Sequence, residues 1–140
     1  MTVLFTQPWA EAWGDALNRS EDYQRAARLW EGDVVLEALA DPARGLSDTV
    51  AVYLDLHRGQ CRAARVATAE DLAGATYLMS GPLATWLTVL DGELSPAMAI
   101  LGGRLTLRNG SMMSLMPHVQ AANELVRVAR TVNAGAPGAT

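Results

Sequence analysis

Trp9, Trp13, Ala16 and Leu17 recur at i, i+4, i+7 and i+8, a spacing that predicts a helix with one buried stripe near the start of the chain. Ser20 is placed to cap a second helix whose first turn carries Glu21 and Asp22, both suited to the positive end of a helix dipole. Tyr23, Ala26, Ala27 and Trp30 supply its inner face, and Gly32 ends it. The period then shortens. Val34 to Leu39 reads as a strand, and Asp41-Pro42-Ala43-Arg44-Gly45 as a turn. Val50, Val52, Leu54 and Leu56 alternate with Ala51, Tyr53, Asp55 and His57, which predicts a strand with one wet face. Arg58-Gly59-Gln60 turns the chain into a return strand from Cys61 to Ala67, and Thr76 to Ser80 forms a further strand.

The second half mixes the two periods. Ser80-Gly81-Pro82 opens a helix with the stripe Leu83, Trp86, Leu87 and Leu90, and Asp91-Gly92 stops it. Ser95-Pro96 opens a short helix in which Met98 and Leu101 are expected to face inward, and Gly102-Gly103 closes it. Arg104 to Arg108 alternates around a buried face of Leu105 and Leu107, and Asn109-Gly110 is the strongest turn pair in the chain. A last helix runs from about Ser111 to Val132, kinked or broken at Pro117. Strands and helices are partly segregated along the chain. The fold expected is α+β, a sheet with helices on one face and solvent on the other.

Composition narrows the function. The chain has 140 residues, enough for one domain, and is 50% apolar and 19% charged. Its net charge of −4 and pI near 5.0 argue against nucleic acid as a partner and against an electrostatic hold on anionic membrane. All 11 basic residues are Arg, so lysine Schiff bases and the phosphate-loop lysine are excluded. The single cysteine, Cys61, forms no intrachain disulfide and fits a reducing compartment, taken as the cytoplasm. No apolar run approaches the roughly 20 residues of a membrane span, so no stable insertion is expected. The N-terminus reads as a poor secretory signal, and 133–140 as a flexible tail.

Candidate chemistry is sparse. His57 and Cys61 are too few for a metal site, and none is expected. Ser114 and His118 stand at i, i+4 and can share a helix face, but no nucleophile elbow accompanies them. No catalytic residue and no cofactor is assigned. The acid pairs Glu21/Asp22 and Glu70/Asp71 are explained as dipole partners at helix starts. What remains is apolar. Met98, Met112, Met113 and Met116 crowd into one stretch, and thioethers adapt to varied apolar guests. Met112, Leu115, Met116 and Val119 form one stripe of the last helix, continued by Ala122, Val126 and Ala129. Met113, Leu125, Val128 and Val132 lie off it, so the helix needs covering on more than one face, by core, partner or ligand.

The segment from Leu90 to Met116 resembles the sterol-carrier-protein domain, also called the non-specific lipid-transfer domain. The resemblance rests on Gly92, Leu94, Pro96, Ala99, Gly103, Arg104, Leu105, Leu107, Arg108 and the Asn109-Gly110 turn. It is good from Ala75 to Val132 and extends by element order alone from Ser20 to Gly74. The turn reads Asn-Gly where the family commonly has Gly-Asn or Gly-Asp, Arg stands for Lys, and Pro117 alters the exit. The carboxyl-terminal peroxisomal signal of some relatives is missing. The family has no shared catalytic residues.

The resemblance implies a mixed, mostly antiparallel five-stranded sheet with helices covering one face and an apolar tunnel between them. It implies a hydrophobic lipid ligand: fatty acid, acyl-CoA or sterol. By family position and expected facing, Trp86, Leu90, Met98, Leu101, Met112, Leu115, Met116 and Val119 are the candidate lining. Residues 1–19 are expected to be an added helix and 20–132 the lipid-binding domain. Two other functions stay open. One is an accessory module in which the Trp9/Trp13 helix, taken as exposed, docks a second copy as a homodimer. The other is an enzyme on apolar substrates using His118.

Overall fold

The computed structural model describes residues 2–132 and 134–135. The expected tail therefore lies outside the described residues at Asn133 and 136–140, while Ala134–Gly135 (β7) pairs in parallel with Thr2–Val3 (β1). The main sheet has five strands: β2 (Glu31–Leu39), β3 (Val50–His57), β4 (Gln60–Val66), β5 (Tyr77–Pro82) and β6 (Thr106–Asn109). Their order is β4-β3-β2-β5-β6. Only the β2–β5 pair is parallel; the rest of this sheet is antiparallel. The sheet is thus mixed and mostly antiparallel, as expected.

Central β2 explains why its sequence does not alternate. Val34, Leu36 and Ala38 face the main core, while Val35 belongs to a second, smaller cluster on the other face. A strand covered on both sides reads as a continuous apolar run. The β3–β4 hairpin turns through Arg58 and Gly59 at φ of 50° and 87°. A Cβ on Gly59 would stand 2.7 Å from the Gln24 carbonyl oxygen, so the turn is also pressed against the neighbouring helix.

The helical layer contains α1 (Gln7–Arg19), α2 (Glu21–Ala26), α4 (Leu83–Leu90), α5 (Pro96–Leu101), α6 (Met112–Leu115) and α7 (Val119–Thr131), with α3 (Ala69–Gly74) on the other face. Ser20 caps α2 by accepting from the Tyr23 N–H. The Trp9/Trp13 face of α1, expected to be exposed, is not: both tryptophans and Leu17 are 0% exposed. Gly14 makes this packing possible, since a Cβ there would lie 2.7 Å from the Ala64 Cβ on β4. Trp13 Nε1 donates to the Leu125 carbonyl across 3.0 Å, tying α1 to α7. The stripe covers the chain's own sheet and offers no dimer surface.

The face read as wet is wet only in part. Leu72 of α3 packs with Val35, Ala51, Ala75 and Leu78 beneath it. A capping box at Thr68 and Asp71 starts the helix. Arg65 holds Asp71 with two hydrogen bonds of 2.9 and 3.2 Å and lies 4.3 Å over the Tyr53 ring. Tyr53 donates to Asp33, which also accepts from the Thr76 N–H at 2.7 Å. Burial alone would raise both carboxyls. The donors around Asp33 (Thr76, Tyr53) and Asp71 (Arg65, Thr68) outweigh it and hold both below their ordinary range. A carboxyl depressed by folding stabilises above its unfolded pKa and loses that contribution as pH falls through the folded value. Stability by urea unfolding is therefore expected to fall between about pH 5 and pH 3, with a shallower slope in Asp33→Asn. An equal slope in both proteins would refute this assignment.

Candidate functional site

Between the sheet and the helical layer runs a narrow apolar crevice. Val34, Leu56 and Met79 from three neighbouring strands form its floor; Leu115 of α6 and Ala121, Ala122 and Leu125 of α7 cover it. Tyr23 and Trp30 complete the wall. Counting its open mouth, about 290 Å³ is unfilled by atoms, but only about 20 Å³ admits the centre of a water molecule. The space exists because α7 presents alanines here; larger side chains at 121 and 122 would close it. No lining residue is charged.

The cover is built from short pieces. Pro117 has no N–H to give and splits the expected single helix into α6, a 3₁₀ turn over Met116–His118, and α7. Ser111 caps α6 by accepting from the Ser114 N–H. The piece is pinned at its side by Tyr77, whose hydroxyl donates to Ser114 Oγ at 2.8 Å. Trp30 stands against Tyr77 with ring centres 5.1 Å apart and takes the edge of His118 at 4.9 Å. The indole Nε1 of Trp30 donates to the Gly32 carbonyl.

The expected lining residues are scattered around this crevice. Leu115 borders it. Trp86 is buried deeper, with Nε1 donating to the Glu37 carbonyl and its ring 6.0 Å from Phe5. Leu90 lines a different groove, with Leu4, Leu87 and Ala129. Met112 and Val119 are half-buried, and Met112 packs against the core. Met98 and Leu101, expected inward, are 59% and 62% exposed, and Met116 is also exposed. In α5 the buried positions are Pro96, Ala97 and Ala99, because the Ala99 carbonyl accepts from both Arg104 and Leu105 and the chain folds tightly onto that side. Met113 of α6 and Met116 of the 3₁₀ turn also face outward.

The sequence reading missed Tyr23, Trp30, Val34, Leu56, Met79, Ala121, Ala122 and Leu125 as lining. Some signal for them exists: Tyr23 and Trp30 stand on a helix's inner face, Leu56 on the buried side of a strand, and Ala122 on the last helix's stripe. Which inward positions border a gap is decided by packing.

The candidate chemical pairs are not assembled. Ser114 bonds to Tyr77 and Ser111, and His118 contacts Trp30. Cys61 faces Leu56 in the hairpin register while His57 faces Gln60. The Cys61 thiol donates to the Ala63 carbonyl, and burial pushes its pKa up to about 11. Among the described residues no three His, Cys, Asp or Glu side chains group as metal ligands, and no helix is long and apolar enough to cross a membrane.

The open mixed sheet roofed by helices places the chain among sterol-carrier-like folds. The family model described as the SCP-2 sterol transfer family matches residues 14–122, and the chain belongs to that family, whose domains bind or transfer lipids. A crystal structure of sterol carrier protein 2 is similar at 45% identity and a TM-score of 0.85, covering 93% of this chain and 99% of that one. The solution structure of a conserved hypothetical protein from Thermus thermophilus, described as possibly a sterol carrier protein, shares 44% identity at a TM-score of 0.86, covering 96% of this chain and 93% of that one. Apo sterol carrier protein 2 from Yarrowia lipolytica shares the fold at 14% identity and a TM-score of 0.59, covering 87% and 89%. No curated protein matches the sequence.

Proposed function

We propose that the protein binds a lipid non-covalently in the crevice and hands it on without chemical change. One observation carries the reading: an uncharged apolar crevice lies under a cover made of short, separately pinned helical pieces. Ligand pockets typically measure about 300–1,000 Å³, and the crevice at rest is far narrower, so a guest enters by moving the cover. The parts assigned to move are α6 and the 3₁₀ turn, short pieces whose outer side chains Met113 and Met116 are 88% and 49% exposed. Among fatty acid, acyl-CoA and sterol-like guests, a slender acyl chain demands the least opening and fits best. Binding draws on desolvation at about 25 cal/mol per Å² of apolar surface, which makes specificity broad. The proposed carrier unit takes in α1 as well as residues 20–132, since the helical layer is incomplete without it.

Native mass spectrometry of the purified protein, followed by solvent extraction, is expected to find co-purifying acyl lipid. Titration with diphenylhexatriene is expected to show saturable fluorescence. An empty protein that fails to bind the probe would end the proposal.

A further inference from the structure

Tyr23 sets a condition on the guest. The side chain is 1% exposed and borders the crevice, and its hydroxyl makes no hydrogen bond to another described residue, although it is not among the fully enclosed polar atoms left without a partner, which are Trp9 Nε1 and Asn123 Oδ1. The other polar group of the lining, Trp30 Nε1, is already committed to Gly32. The Tyr23 hydroxyl is thus the one lining donor left open to a guest. We infer that Tyr23 donates a hydrogen bond to an oxygen of the bound lipid, and that this oxygen is uncharged: an ester, ketone, alcohol or undissociated acid.

The second half of the inference follows from what is missing around the hydroxyl. No Arg or His lies in the lining, and the chain has no Lys. A carboxylate brought to Tyr23 would lose its hydration and meet no cation, a large penalty. Burial acts on Tyr23 in the same sense. Desolvation, reinforced by nearby Cys61, raises its pKa and keeps it a neutral donor. An ester or ketone oxygen carries no such penalty and satisfies the phenol.

This inference rests on the crevice being the lipid site, and the test separates the two. Wild-type protein and Tyr23→Phe are each titrated at pH 8 with diphenylhexatriene, which has no oxygen, and then with methyl palmitate and palmitate as displacing ligands. The ester affinity of each protein is read relative to its own affinity for the hydrocarbon probe. Tyr23→Phe is expected to bind methyl palmitate about tenfold more weakly, the loss of one hydrogen bond. Wild type is expected to prefer methyl palmitate to palmitate. Equal affinity of both proteins for methyl palmitate would overturn the role of Tyr23. Palmitate binding wild type as tightly as its ester would overturn the uncharged-oxygen condition, and this comparison needs no variant. Failure of diphenylhexatriene to bind wild type would remove the lipid site and this inference with it.

Discussion

Trp13→Ala is expected to destabilise the protein by about 4 kcal/mol, the range for deleting a fully buried indole. Trp13 is 0% exposed and its ring centre lies 4.8 Å from that of Trp9. Truncation leaves a cavity between α1 and the layers beneath it. It also removes the hydrogen bond that the Leu125 carbonyl accepts from the indole N–H in addition to its place in α7. Trp13→Phe removes the hydrogen bond but leaves a smaller cavity, so its cost is expected to be lower, about 1–3 kcal/mol. Urea unfolding of the three proteins checks both figures. A midpoint for Trp13→Ala within error of wild type would mean that α1 does not belong to the cooperative core. The variant reaches function as well, because the Leu125 side chain borders the crevice and the Trp13 bond fixes that turn of α7.

Ala121→Phe is expected to abolish most lipid binding while leaving the fold intact. Ala121 is buried and covers the crevice from α7. A benzyl ring in its place occupies the space an acyl chain would use. If the ring displaces about 100 Å² of apolar contact, the loss at about 25 cal/mol per Å² is about 2.5 kcal/mol, close to seventyfold in Kd. Diphenylhexatriene titration measures the change. Overpacking costs about 1–3 kcal/mol where the ring does not fit, so thermal unfolding is measured alongside. Undiminished binding in a folded Ala121→Phe would place the guest elsewhere, with the groove at Leu90 the next site to block.

Much of the fold was legible because its signals are local. Pro117 marked a break, Ser20 a cap and Asn109-Gly110 a turn, and alternation in β3 separated its two faces. The short pairing of β1 with β7 left no such mark, since two residues per strand carry no period. Stripes proved ambiguous in a particular way. Trp9 and Trp13 announce a buried face, but periodicity cannot say whether the chain or a partner buries it. Gly14 is the one residue on α1 that favours the chain, and its meaning depends on Ala64, fifty positions away in sequence. Met98 and Leu101 show the opposite case. Large side chains look inward by size, yet close contact in α5 is made by its alanines.

The candidate crevice was the least legible part. Its existence depends on alanines in α7 failing to fill the space over Val34, Leu56 and Met79, three positions on separate strands. Volume left over is a property of the packed whole. The resemblance supplied the expectation of an apolar space, and the lining residues came from the coordinates. Tyr23 was read as an inner-face residue, but an unanswered hydroxyl becomes visible only when every neighbour is in place.

The four tryptophans divide unevenly. Trp9, Trp13 and Trp86 lie in the core alongside Phe5, whereas Trp30 alone among them borders the crevice, between Tyr77 and His118. A guest in the proposed crevice would meet one indole, Trp30, and none of the other three. On that proposal the molecule would carry its own optical gauge of occupancy, with loading followed by a change in intrinsic emission without any dye.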